Sequence, residues 1–177
     1  MTWPHSATDP YVQVGNLYVP DYREKYPDLG SWDVRELSEV TEIFIHHSAA
    51  AEKPDEEAMA AIYRYHTTSN YGGGNGWPGI GYNFCVGQSG IYLVGSLETV
   101  RAHTYGHNRT GIGVCFLGDF STKPPTPDSL AHGVDFLNNL RFGLGANLPI
   151  RPHSSVTATR CPGTAFDALI QAGLDPA

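Results

Sequence analysis

No stretch of the 177-residue chain reaches the roughly 18 consecutive apolar residues of a membrane helix, so no membrane insertion is predicted. Nor is there a Lys/Arg cluster. Eleven basic residues are scattered among 18 acidic ones, and the formal net charge is −7. A protein that tracks phosphate backbones needs a basic face, so nucleic acid is not an expected partner, and the acidity reads as solubility. Cysteine is scarce and odd in number: Cys85, Cys115 and Cys161. That count does not make a disulfide framework. An HExxH helix is also missing, which argues against a zincin-type peptidase.

What is present fits one soluble domain. Apolar residues are 41% and charged residues 16%, and the length suits a single core rather than two. Twenty glycines and 13 prolines point to a loop-rich α/β protein rather than a helical bundle. A monomer is expected.

Periodicity places the elements. YVQVGNLYVP (11–20) reads as a hairpin around Gly15-Asn16. Tyr22 to Trp32 shows no clear period, so residues 1–40 are expected to wrap over the domain, with a disordered arm as the alternative. Residues 43–47 read as a buried strand. Pro54 to Glu57 opens a helix with acids in its first turn, and Met59, Ile62, Tyr63 and His66 follow at helical spacing. TTSNYGGGNGWPG (67–79) is a glycine-rich loop. GYNFCVG (81–87) and IYLVG (91–95) form a second hairpin, and GIGVCFLG (111–118) another buried strand. Cys85 and Cys115 lie in these strands as small hydrophobes, able to pair if the strands are neighbours. Thr126-Pro127 starts a helix with Leu130, Val134, Leu137 and Leu140 on one face, stopped by Gly143 or Gly145. NLPIRPH (147–153) is a short strand. Thr164 caps a last helix carrying Phe166, Leu169 and Ile170 and closed by Gly173. The fold class is therefore α/β: a mixed central sheet with helices on both faces, and a site at the loop ends beyond the strands.

The chemistry concentrates in RPHSSVTATRCPG (151–163), where His153 and Cys161 lie eight positions apart, and in IFIHHSA (43–49). Cys161 sits in a polar loop beside Arg160, which suits a metal-bound or reactive thiolate better than core packing. Two imidazoles and one thiolate leave the fourth tetrahedral position of a zinc ion open, the layout of a catalytic site. Neighbouring side chains on a strand point to opposite faces, so His46 and His47 should not both reach one metal. The residues alone do not choose between them.

IFIHHSA, GWPGIGYNFCVGQSGIYLVG (76–95), RAHTYGHNRTGIGVCFLGDF (101–120) and RPHSSVTATRCPG occur in that order. Together they resemble the zinc-dependent N-acetylmuramoyl-L-alanine amidases of the peptidoglycan-recognition-protein and phage-lysozyme type, over roughly residues 41–173. The resemblance implies a zinc amidase domain over 41–177 with one catalytic Zn2+ held by His46, His153 and Cys161. It implies hydrolysis of the amide bond between N-acetylmuramic acid and L-alanine in bacterial peptidoglycan, as in a phage-type cell-wall lysin. Tyr82 and Thr159 map to positions near the scissile carbonyl and are the expected oxyanion donors. His66, His103 and Asn108 map to the substrate groove. Two departures put groove shape in question. The family often carries an acid before Ile-Gly-Tyr, where this chain has Gly79, and the glycine-rich stretch before Trp77 is longer than usual. The opening MTWPHSATDP has no basic and apolar regions of a secretory signal. Synthesis in the cytoplasm and release by another route are expected, as phage lysins use a separate membrane pore. A non-catalytic peptidoglycan-binding module is the alternative. Such family members typically lack the cysteine, which here is Cys161.

Overall fold

EIFIHH is rich in β-branched and aromatic residues and nearly free of charge, which suits a strand covered on both faces. In the computed structural model, which describes residues 10–171, it forms the strand β3 (Glu42–His47) inside a five-stranded sheet. Elements are numbered in chain order. The first two strands, β1 (Tyr11–Val14) and β2 (Leu17–Pro20), make a separate antiparallel hairpin with Gly15-Asn16 in its turn. The sheet holds β3, β4 (Phe84–Val86), β5 (Ile91–Leu93), β6 (Gly111–Phe116) and β7 (Ile150–Pro152), in the order β5-β4-β6-β3-β7. Only the β4–β5 pair is antiparallel. The sheet is thus mixed, as the alternation of elements predicts. The start of the chain and Gly173 fall outside the described residues, as does the side chain of Leu169.

Alternation along β6 separates the two faces. Ile112, Val114 and Phe116 pack with Ile43 and Ile45 against α2 (Pro127–Leu144) and α3 (Thr164–Gln171), through Phe136, Leu137, Leu140, Phe166 and Ile170. Phe136 was not in the predicted stripe, yet it is fully buried against Phe84 at 4.6 Å between rings. Cys115 and Cys85 face the other way, toward Met59 of α1 (Asp55–Thr67). They are direct partners on neighbouring strands, and both are free thiols. No helix among the described residues is long and apolar enough to cross a membrane.

Local chemistry sets the helix ends. Thr126 Oγ1 accepts from Ser129 N–H at the start of α2, and Gly145, in the left-handed region, ends it. Thr164 differs from expectation. It is the first helical residue, and its hydroxyl donates to the carbonyl of Ser121 instead of capping. Asp55 does more than face the helix dipole. Its carboxylate is buried and accepts from the N–H groups of Gln88 and Ser89 and from the Tyr92 hydroxyl, which fastens α1 to the β4–β5 turn.

The segment before β3 packs tightly. Val12, Val14 and Val19 belong to the main core. Tyr22 N–H donates to Leu93 O, continuing the chain beside β5. Arg101 is 2% exposed and lies over the Trp32 ring. It makes a two-pronged ion pair with Asp28, at 2.7 and 2.9 Å.

Candidate metal centre

Register builds the centre. Partnering of Ile45 with Pro152 in the parallel β3–β7 pair, continued by one residue, sets His46 beside His153, with ring centroids 4.5 Å apart. The chain then makes a 3₁₀ turn over His153–Ser155. Ser154 N–H donates to the Cys161 carbonyl at 2.9 Å and draws the loop back on itself. Ser154 Oγ bonds the Asp167 carboxylate at 2.8 and 3.0 Å, which pins this loop to α3. The thiol therefore returns to the two imidazoles. His46 Nδ1 lies 3.7 Å from Cys161 Sγ, and the donor atoms of His46, His153 and Cys161 all lie within 4.8 Å of one another.

His47 occupies the other face. Its Nδ1 accepts from Phe120 N–H at 3.2 Å. Its backbone N–H points at Cys161 Sγ, 3.4 Å away.

A hydrogen-bond chain behind His46 selects its tautomer. The Gly111 carbonyl can only accept, so His103 Nε2, 3.3 Å from it, carries the proton. His103 Nδ1 is then an acceptor, 3.3 Å from His46 Nε2 and 2.9 Å from Thr104 Oγ1. A neutral His46 that donates from Nε2 has its lone pair on Nδ1, the atom facing Cys161. The His103 ring can sit there because β6 carries glycine. A Cβ on Gly113 would fall 2.7 Å from His103 Cγ.

Burial holds every imidazole of the cluster neutral. His46 is pushed well below its usual range, by desolvation first and then by His103 and His153. Desolvation also lowers His153 and takes His103 down to about 3. Cys161 is raised to about 11 by burial, against the lowering effect of the His47 N–H. The polar loop and Arg160 thus do not by themselves make a reactive thiolate, which leaves the metal-bound form of the two expected. Two lone-pair nitrogens and a thiol that yields its proton only to a strong positive charge are a donor set that fits Zn2+. Bonds of about 2.0–2.3 Å would put tetrahedral ligands roughly 3.3–3.8 Å apart, near the observed His46–Cys161 separation.

The three donors open onto a cleft of about 700 Å³ that is also lined by Tyr82, Thr159, His66, His103, Trp77, Tyr65 and Arg160. The Tyr82 ring lies 5.1 Å from that of His46 and 5.5 Å from that of His66. Burial, and then Cys115 and Cys161, push its phenol well up, so it remains a proton donor. Thr159 Oγ1 accepts from Cys161 N–H at 3.2 Å, which leaves its own proton free to donate. His66 Nδ1 accepts from Gly81 N–H at 3.0 Å, and burial lowers this imidazole to about 4. Asn108 does not line the cleft. Its Oδ1 accepts from the N–H groups of His103 and Thr104 at 3.0 and 2.7 Å, so it shapes the loop that carries His103. The neighbouring His107 instead pairs with Glu42 at 2.9 Å.

Sequence reasoning missed Thr104, whose Oγ1 is 3.4 Å from His46 Nε2. No spacing signal marks it, because its role comes from a contact across 58 positions. The Asp28–Arg101 pair was missed for the same reason. It also answers one departure noted above. A Cβ on Gly79 would fall 2.1 Å from Asp28 Oδ1, so a carboxylate from the leading segment fills the place beside Gly79.

The sequence pattern of the N-acetylmuramoyl-L-alanine amidase family matches residues 36–164. A human N-acetylmuramoyl-L-alanine amidase is 32% identical over 138 residues, which span 72% of this chain but only 23% of the human protein. Peptidoglycan-recognition protein SC1a of Drosophila melanogaster is 29% identical over 155 residues, 84% of this chain and 81% of that one. The solved structure of peptidoglycan recognition protein-LE in complex with tracheal cytotoxin, a monomeric diaminopimelic acid-type peptidoglycan, superposes with a TM-score of 0.73 at 26% identity. It covers 87% of this chain and 93% of that one. The pattern spans all three donors and the strands that carry them, and by it the chain belongs to the N-acetylmuramoyl-L-alanine amidase family.

Proposed function

We propose that this chain is a zinc-dependent hydrolase and cell-wall lysin, cleaving the amide bond between N-acetylmuramic acid and L-alanine in bacterial peptidoglycan. The observation that carries the proposal is the presence of Cys161 beside His46 and His153, with all donor atoms within 4.8 Å. A module that only binds peptidoglycan has no need of a thiol there.

His46, through Nδ1, His153 and Cys161 would hold one Zn2+ and leave a position open to the cleft. When bound, zinc makes water a nucleophile near neutral pH and polarises the amide carbonyl. The residues of the chain do the rest. Tyr82 and Thr159 donate to the oxyanion that develops on the lactyl carbonyl. His103 and Thr104 hold His46 in the ligating tautomer. His66, neutral with its proton on Nε2, lines the groove with Trp77. The amine of L-alanine leaves after protonation.

Two measurements test this. Zinc content is determined after dialysis for the wild type and for Cys161→Ala, His153→Ala, His46→Ala and His47→Ala. The first three variants are expected to lose zinc and wall hydrolysis while staying folded, and His47→Ala to retain both. Digested walls are then examined for new ends. Free L-alanine amines without new reducing sugars are the expected product. A wild type that binds walls without holding zinc, or without releasing amines, is a recognition module and not a hydrolase.

A further inference from the structure

The charge of the cleft differs from that of the rest of the molecule. The chain carries a net charge of −7, yet no Asp or Glu is among the residues lining the cleft. Arg160 brings the one side chain there with a permanent charge. Of the other ten cations, Lys53 and Arg64 are exposed and do not line the cleft, and the remaining eight are held by partners. Arg23, Lys25, Arg101, Arg109, Lys123 and Arg151 form ion pairs. Arg35 and Arg141 donate to backbone carbonyls. Arg160 is exposed, and among the described residues its guanidinium has no hydrogen-bond or ion-pair partner. Its backbone is held, since the Arg160 carbonyl accepts from Gly163 N–H. Thr159 on one side and Cys161 on the other both face the cleft. An unpaired guanidinium anchored at the lip of an acid-free cleft is suited to a planar anion, which it can hold with two parallel hydrogen bonds.

Resting on the hydrolase reading above, we propose that Arg160 determines specificity by pairing with a free carboxylate of the stem peptide, on the leaving-group side of the scissile amide. The second stem residue is a glutamyl unit joined through its side-chain carboxyl. Its α-carboxyl is therefore a free carboxylate in some walls and a neutral carboxamide in others. A residue spans roughly 3.3–3.6 Å, so this group lies about one to two residue lengths from the reacting carbonyl. Arg160 is one residue from Cys161, which matches that reach. The carboxamide offers one acceptor and no charge, so it forfeits the pairing.

The test uses the full zinc-loaded chain and two synthetic muramoyl tripeptides, with the glutamyl side-chain carboxyl in amide linkage, that differ only in that α-carboxylate or carboxamide. The wild type is expected to favour the acid about tenfold in kcat/KM, mainly through KM, because the contact is equal in ground and transition states. The preference should shrink at high salt. Arg160→Ala should bring the ratio close to one, Arg160→Lys should keep part of it, and Arg160→Glu should invert it. Equal turnover of both substrates by the wild type, or a preference that survives in Arg160→Ala at equal zinc content, would overturn the assignment. Calorimetric binding of the same two ligands separates this inference from the reading beneath it. Acid-selective binding that vanishes in Arg160→Ala, without turnover in any form, would retain Arg160 as the reader and remove the hydrolase. Turnover without selectivity would do the reverse.

Discussion

Tyr82 touches the centre with a ring and offers one hydroxyl. Tyr82→Phe retains the packing against His46 and His66 and removes only that donor. Loss of a single oxyanion donor typically lowers rate by about 10²–10³, so the variant should hold zinc fully and turn over slowly. Equal rates at equal zinc would return Tyr82 to the core. His103→Ala asks a different question. It leaves all three donors in place and removes the partner of His46 Nε2. Outer partners of metal ligands typically contribute about 10–100-fold in affinity, so competition against a chelator should show zinc held that much more weakly. At this scale the legible residues were those with rare chemistry near the ends of strong elements: His46, His153 and Cys161. The place of Asn108 beneath the cleft lining was not legible, because an asparagine beside a histidine reads equally well as groove or as turn. Only the hydrogen bonds to the His103 and Thr104 backbone decide.

Among the elements, hairpins and helices were legible because their signals are local. Gly15-Asn16 turns β1 into β2, and Thr126 opens α2. What stayed illegible was pairing across distance. The order β5-β4-β6-β3-β7 sets His46 between Cys115 and the β7 end, and nothing in the run IFIHHSA states it. The exchange between Gly79 and Asp28 is of this kind, and it can be measured. Gly79→Asp should destabilise the fold, since its Cβ would fall on the Asp28 carboxylate. Asp28→Ala should destabilise by about 3 kcal/mol, because it leaves Arg101 buried and unpaired. The double variant should be markedly better than the sum of the two, since one carboxylate then again faces Arg101. Urea unfolding of the four proteins gives the coupling, and additive losses would show that the two positions do not share a space.

The whole molecule should respond to acid through His66, a buried histidine that is not one of the three metal donors. Its imidazole titrates at about 4 when folded, lowered by burial, against roughly 6.5 in an unfolded chain. Between those values the unfolded state binds the extra proton, so stability rises with pH across this window and falls as pH drops through it. Above about pH 6.5 both states are neutral at this site and it contributes no pH dependence. The full loss is about 3 kcal/mol, at roughly 1.4 kcal/mol per unit. Metal-free protein unfolded in urea at about pH 7 and about pH 4.5 should lose most of that, and His66→Gln should lose correspondingly less. An identical pH response in wild type and variant would mean that other groups carry the acid sensitivity.

The packing of the leading segment also bears on how this domain can be moved between proteins. The family pattern begins at residue 36, a natural place to cut when joining the domain to a new targeting partner. A cut there removes Asp28, the hairpin valines of the core and the Trp32 ring over Arg101. The portable unit therefore starts no later than Pro10. A fusion made at the family boundary should be recovered as aggregate, whereas one made upstream of the hairpin should be recovered in soluble form.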